Sequence, residues 1–305
     1  MRKIQVFVSA AAAVAGLALG RGAAAQDPTP PLPEHSGREV KSPGNAQWAG
    51  DVAEATARAQ AEKALVYYEF DSAGCGNCRR MQSLLYPAFD FEALLIGMVP
   101  VQVDIASEEG KRLAERYLVK ETPSILITTP SGRLVFLMQG FHNAPDFYRH
   151  AHTDLDSYRK FARIVDAQNV ATLSAEEAYK TGKELYLRYD FAAAAPRLER
   201  AAKAPDGDAK LREDALEGLA AAELELGHTE RSRKAIDRLL AMTTEPRRKQ
   251  NAELFRAQLA LAQENPAEAL TLYKKFAKDH PDSPYLEQVR SFIARLEASA
   301  PTPKS

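Results

Sequence analysis

The stretch that decides the fold runs from Leu65 to Cys78: Leu65-Val66-Tyr67-Tyr68-Glu69-Phe70, then Asp71-Ser72-Ala73-Gly74, then Cys75-Gly76-Asn77-Cys78. The first six residues are an apolar run of strand length, and the next four are turn formers. Cys78, Met81 and Leu85 then recur at helical spacing on one face, which predicts a helix that opens at the cysteines. A thiol at a helix N-terminus meets unpaired N–H groups and the positive end of the helix dipole, so it ionises more readily. Cys75 is expected at the mouth of this site and Cys78, one turn on, against the core. Arg79 and Arg80 add positive charge nearby. Cys75 can then attack a disulfide sulfur, and Cys78 can resolve the mixed disulfide from below.

These are the only two cysteines in 305 residues. An exported protein stapled by disulfides usually spreads several pairs along its chain. A bridge closing so short a loop constrains the unfolded chain very little, which disfavours a purely structural disulfide. A structural zinc site takes four ligands. The histidines are His35, His142, His150, His152, His228 and His280, and there is no second CxxC. His150-x-His152 is the nearest approach to a ligand pair, and no metal is expected. Redox chemistry is the favoured use of the pair.

Outward from this centre the pattern stays mixed. Asp51 to Lys63 is Ala-rich and helical, Val99 to Ile105 alternates as a strand, and Ser107-Glu108-Glu109 opens a further helix. Ser124–Thr129 and Arg133–Met138 read as two strands joined across Pro130-Ser131-Gly132, and a helix is expected near Asp154–Val165. Such a succession implies a mixed central sheet covered by helices. Glu69 stands out, because an acid inside an apolar strand is costly unless it is used.

From about Trp48 to Val165 the chain resembles the thioredoxin-like family, specifically its exported thiol–disulfide members. The residues that carry the likeness are the strand LVYYEF, the Cys75-Gly76-Asn77-Cys78 motif, VPVQVDI ending near Asp104, and Glu121-Thr122-Pro123-Ser124. The resemblance implies a cis proline at Pro123 facing the cysteines, with Thr122 and Pro123 forming a substrate-docking edge beside Gly74. It also implies that Glu69, six positions before Cys75, lies below Cys78 as a buried acid that accepts its proton. Two departures bear on redox poise. Gly74 replaces the aromatic residue often found before the first cysteine, and Gly-Asn replaces the familiar Gly-Pro between the two.

After Thr172 no strand pattern survives. Breaks fall at Tyr189-Asp190, Pro205-Asp206-Gly207, Gly227-His228, Thr243-Thr244, Asn265-Pro266 and Pro281-Asp282-Ser283. Three helix pairs and a closing helix at Pro284–Ala298 fit this spacing, which resembles tetratricopeptide-type repeats. Tyr179, Tyr186, Leu216, Leu219, Leu254 and Leu259 are expected to pack between these helices, and such arrays offer a concave face to a protein partner.

At the other end, Arg2 and Lys3 precede an apolar run and Ala23-Ala24-Ala25, the pattern of a cleavable export signal, with an uncleaved anchor as the alternative. Residues 26–45 are Pro-rich and read as a disordered leader. The expected organisation is 1–25 signal peptide, 26–45 leader, 46–168 α/β thioredoxin-like domain, 172–299 all-α helical-repeat domain and 300–305 disordered tail. Forty Lys plus Arg against 41 Asp plus Glu leave no basic excess for nucleic acid, and 45% hydrophobic with 27% charged residues is the composition of folded soluble protein.

The expected function is an exported, periplasmic or secreted, thiol–disulfide oxidoreductase acting on protein disulfides. Its partners would be protein substrates and an upstream thiol–disulfide electron partner. No diffusible cofactor is implied, because the two sulfurs carry the electrons. The alternative from another class is a redox-inert envelope adaptor that binds proteins through its helical repeats. Reductant, oxidant and isomerase remain open directions for the enzyme.

Overall fold

The computed structural model describes residues 47–87 and 89–299. The expected signal peptide, Pro-rich leader and C-terminal tail lie outside the described residues. The chain divides into two compact units between Asp166 and Ala167. Among the described residues no helix is long and apolar enough to cross a membrane.

The first unit runs α1 (Val52–Glu62), β1 (Leu65–Asp71), α2 (Gly76–Leu85), α3 (Phe89–Leu94), β2 (Met98–Asp104), α4 (Glu108–Tyr117), β3 (Ser124–Thr128), β4 (Leu134–Gln139) and α5 (Ala144–Ala167). The four strands form one mixed sheet in the order β2-β1-β3-β4. β1 is parallel to β2 and antiparallel to β3, and β4 is antiparallel to β3. This is the central mixed sheet with flanking helices that the strand and helix patterns imply. β1 is internal, so its five middle residues are all buried, and β3 is buried along its whole length. A strand buried on both faces reads as a continuous apolar run rather than as alternation. The core on the α2 side of the sheet packs Tyr67, Phe91, Ile125, Ile127, Phe147 and Leu155.

Local chemistry sets the boundaries. Asp51 caps α1, its Oδ1 accepting the Glu54 N–H at 2.8 Å, and Ser107 caps α4 by accepting from Gly110 N at 2.9 Å. Two differences from the sequence expectation stand out. The six-residue α3 was not anticipated, and α5 begins at Ala144, ten residues before the expected start. Its first turn is held by Asn143, whose Oδ1 accepts the Asp146 N–H at 2.9 Å ahead of an early Pro145, a start signal present in the sequence.

The second unit is all helix. After a 3₁₀ turn at Val170–Thr172 come α6 (Ala175–Leu187), α7 (Phe191–Lys203), α8 (Ala209–Glu225), α9 (Thr229–Met242), α10 (Pro246–Ala262), α11 (Pro266–Asp279) and α12 (Leu286–Ser299). Every expected break falls at a junction between two of these helices, with Pro266 itself the first residue of α11, and each helix packs on the next along the chain. Ser174 and Glu177 form a reciprocal capping box on α6, and Asn265 caps α11 ahead of Pro266. Of the side chains assigned to packing, Leu216, Leu219 and Leu259 are buried, and Tyr179, Tyr186 and Leu254 are half-buried.

Candidate active site

The site is built where β1 ends. Asp71 closes the strand opposite Asp104 of β2, and its carbonyl accepts the Ile105 N–H at 2.9 Å. The Asp71 Oδ1 accepts the Ser72 N–H at 2.6 Å, which turns the chain out of the sheet. Gly74 sits at φ +77°, a left-handed conformation that glycine adopts without penalty, and aims Cys75 at the start of α2. Cys75 is the N-cap residue of that helix, and its Sγ accepts the Cys78 N–H at 3.1 Å.

Cys75 and Cys78 are joined by a disulfide with Cα atoms 5.3 Å apart. Cys78 is 1% exposed, whereas Cys75 is half-buried. Met81 and Leu85 share the buried face of α2 with Cys78, as their spacing requires. Arg79 and Arg80 are exposed, and the Arg80 guanidinium lies 4.7 Å from the centre of the Phe141 ring.

Across the site stand Thr122 and Pro123. The Thr122–Pro123 peptide is cis, and Pro123 is buried with its carbonyl accepting the Gly140 N–H at 2.8 Å. The Thr122 hydroxyl reaches 3.7 Å from Cys75 Sγ and 2.9 Å from the Ser72 hydroxyl. Cys75 sulfur is therefore faced by two donors, the Cys78 N–H and the Thr122 O–H, and each would favour a thiolate there. The sequence pointed to Thr122 for its backbone. The hydroxyl chain from Ser72 through Thr122 to Cys75 joins residues 50 positions apart, and no local pattern reveals it.

Glu69 is 2% exposed in the middle of β1. Its Oε1 accepts from Gln82 Nε2 at 2.8 Å and its Oε2 from the Tyr86 hydroxyl in a very short hydrogen bond. Burial raises the Glu69 carboxyl, and the donors on Tyr86 and Gln82 oppose that rise. Burial also raises the Tyr86 hydroxyl, with the Glu69 charge adding to it. Both carboxylate oxygens of Glu69 thus have donors, and neither donor is a cysteine.

The acid beside the sulfurs is a different one. A carboxylate oxygen of Asp71 and the two sulfurs all lie within 4.8 Å of one another. Sequence reading treats Asp71 only as a turn residue. Its placement follows from the sheet alternation, which puts Asp71 on the same face of β1 as Glu69, one step nearer the cysteines. These three are the group of metal-ligating side-chain types gathered among the described residues, and no histidine joins them. His150 and His152 are exposed on α5.

Residues 51–153 match the family model described as a thioredoxin-like domain, about one third of the chain. Among solved structures, a thioredoxin from Thermus thermophilus is 27% identical, with 33% of this chain and 82% of that chain covered and a TM-score of 0.31. A structure described as DsbH oxidoreductase is 17% identical, with 40% of this chain and 95% of that chain covered and a TM-score of 0.31. No curated protein matches the chain. Residues 51–153, with their mixed sheet and close cysteine pair, are a thioredoxin-like domain.

Proposed function

We propose that the protein is an exported thiol–disulfide oxidoreductase that acts on protein disulfides through Cys75 and Cys78. The observation that carries this reading is the cysteine pair at the N-terminus of α2, one sulfur reachable and faced by two donors, the other buried. Reduced Cys75 attacks a substrate sulfur as thiolate and forms a mixed disulfide. Cys78 then loses its proton to a carboxylate on β1, Glu69 or Asp71, and attacks Cys75 Sγ. The substrate leaves with both sulfurs reduced, and the pair is left oxidised. Run backwards, the same steps oxidise a substrate dithiol. Thr122, Pro123 and Gly74 border the opening through which an extended substrate segment would dock.

Export rests on the basic-then-apolar start of the sequence, and the helical unit is proposed as a tetratricopeptide-like surface for the substrate or a partner. The working test uses the full chain equilibrated in thiol–disulfide buffers. A reversible two-electron couple is expected. A potential near about −270 mV would mark a reductant, and one near about −120 mV an oxidant or shuffling catalyst. Cys75→Ser is expected to abolish turnover of model protein disulfides, and Cys78→Ser to accumulate the mixed disulfide, read as a mass shift on non-reducing electrophoresis. If the pair never cycles, or if Cys75→Ser turns over at the native rate, the enzyme reading fails and a redox-inert adaptor takes its place.

A further inference from the structure

Within the thiol–disulfide reading, on which this rests, we infer that Asp71, and not Glu69, is the carboxylate that takes the proton of Cys78 when Cys78 resolves the mixed disulfide. Three observations combine. Asp71 carries a carboxylate oxygen within 4.8 Å of both sulfurs, a span that one bridging water or a small side-chain rotation closes. Its carboxylate has one hydrogen-bond donor among the described residues, the Ser72 N–H on Oδ1, so accepting capacity remains. Glu69, by contrast, has a donor on each oxygen, held by Gln82 and Tyr86. Asp71 is also half-buried, so a proton taken from Cys78 can pass on to solvent, whereas Glu69 is sealed in the core.

In the mixed disulfide, Cys75 Sγ is bonded to the substrate sulfur and Cys78 carries a thiol. The Asp71 carboxylate accepts the Cys78 proton, and the Cys78 sulfur displaces the substrate from Cys75 Sγ. The Cys75–Cys78 bond forms, the Cys75–substrate bond breaks, and the departing substrate thiolate is protonated by the Asp71 carboxylic acid or by water. The two electrons leave with the substrate.

Other charges face Asp71. Asp104 is its cross-strand partner on β2, and Glu69 and Tyr86 interact with it electrostatically. Arg79 and Arg80, both exposed, are the basic groups of the adjoining helix α2. The same carboxylate opposes negative charge on Cys75, so it biases the pair toward the disulfide.

The test follows the release of substrate thiol from a preformed Cys75 mixed disulfide across pH, in the full-length protein. Asp71→Asn is expected to slow release about 100-fold near neutral pH and to leave a rate that climbs with pH as hydroxide replaces the missing base. Asp71→Glu is expected to restore a wild-type-shaped profile at lower amplitude. In Asp71→Asn the potential of the pair moves toward the oxidant side and Cys75 alkylates faster at acidic pH, effects that loss of packing would not produce. Wild-type release by Asp71→Asn at every pH overturns the inference, as does loss of the pH limb in Glu69→Gln with Asp71→Asn unaffected. In either case the wild type still cycles, which separates this failure from failure of the oxidoreductase reading.

Discussion

Glu69 shows how much one residue owes to its surroundings. An acid inside LVYYEF has to be buried or wasted, and the sequence alone says that much. What it does not say is who satisfies the carboxylate. Gln82 and Tyr86 lie 13 and 17 positions away and are brought there by the turn at Ser72–Gly74 and the course of α2, of which Tyr86 is the C-cap. Tyr86 in turn receives a 3.4 Å contact from Gln102 on β2. Because burial raises the Glu69 carboxyl, its favourable contribution is complete below the ordinary carboxylate range and is lost as pH rises through its raised value. Tyr86→Phe removes a donor that the ionised form needs more than the neutral one. The variant is expected to lose about 1–3 kcal/mol of stability, with the larger loss at pH 8 than at pH 4, read from urea midpoints. An equal loss at both pH values would show that Glu69 does not ionise in this range.

Among the elements, α4 and the α6–α8 stack show two grades of close packing. Ser107 as cap and Glu108-Glu109 as first-turn acids make the start of α4 legible from sequence. The reason for Gly110 is not legible, since it is a contact. A Cβ there would stand 2.0 Å from the Asp104 carbonyl oxygen at the end of β2. Backbone cannot retreat as a side-chain tip can, so Gly110→Ala is expected to cost about 3 kcal/mol or more. Gly218 of α8 is milder, because its added Cβ would meet Leu198 methyl carbons at 3.3 Å. Gly218→Ala is expected to cost under about 1.5 kcal/mol. Thermal midpoints of the two variants check the order, and equal shifts would contradict it. The elements that escaped the sequence reading fit the same logic. The six residues of α3 are too few to show a helical period, and the start of α5 carried its signal in an Asn143 cap rather than in apolar spacing.

At the scale of the molecule the helical unit contains a charge cluster that no local pattern announces. Arg248 of α10 lies 2.6 Å from Asp214, 3.3 Å from Glu213 and 3.5 Å from Glu217, all on α8. Burial lifts the Glu217 carboxyl from its ordinary value of 4.5 to about 7. Arg248 opposes the rise, and Asp214, Glu245 and Glu213 add to it. A raised acid stabilises the fold fully below its unfolded value, and that stabilisation drains away as pH climbs through about 7. Glu217→Gln is therefore expected to flatten the fall in stability between pH 5 and pH 8 by on the order of 1–3 kcal/mol, measured by urea unfolding of both proteins. An unchanged pH dependence would place the titration elsewhere.

The line between what is legible and what is not follows from the range of the interactions. Strand runs, helix caps, breaks and the CxxC at a strand-to-helix turn depend on neighbours a few residues apart, so the sequence by itself determined a mixed sheet flanked by helices, an all-helical second half and the cysteine pair as the chemical centre. The partners of Glu69 and the Ser72–Thr122–Cys75 hydroxyl chain depend on contacts between segments farther apart in the chain, and the approach of Asp71 to both sulfurs depends on how the strand, turn and helix fold on one another. Only the tertiary structure decided those, because a carboxylate is turned toward a sulfur by strand register and turn geometry, and neither is encoded in the acid itself.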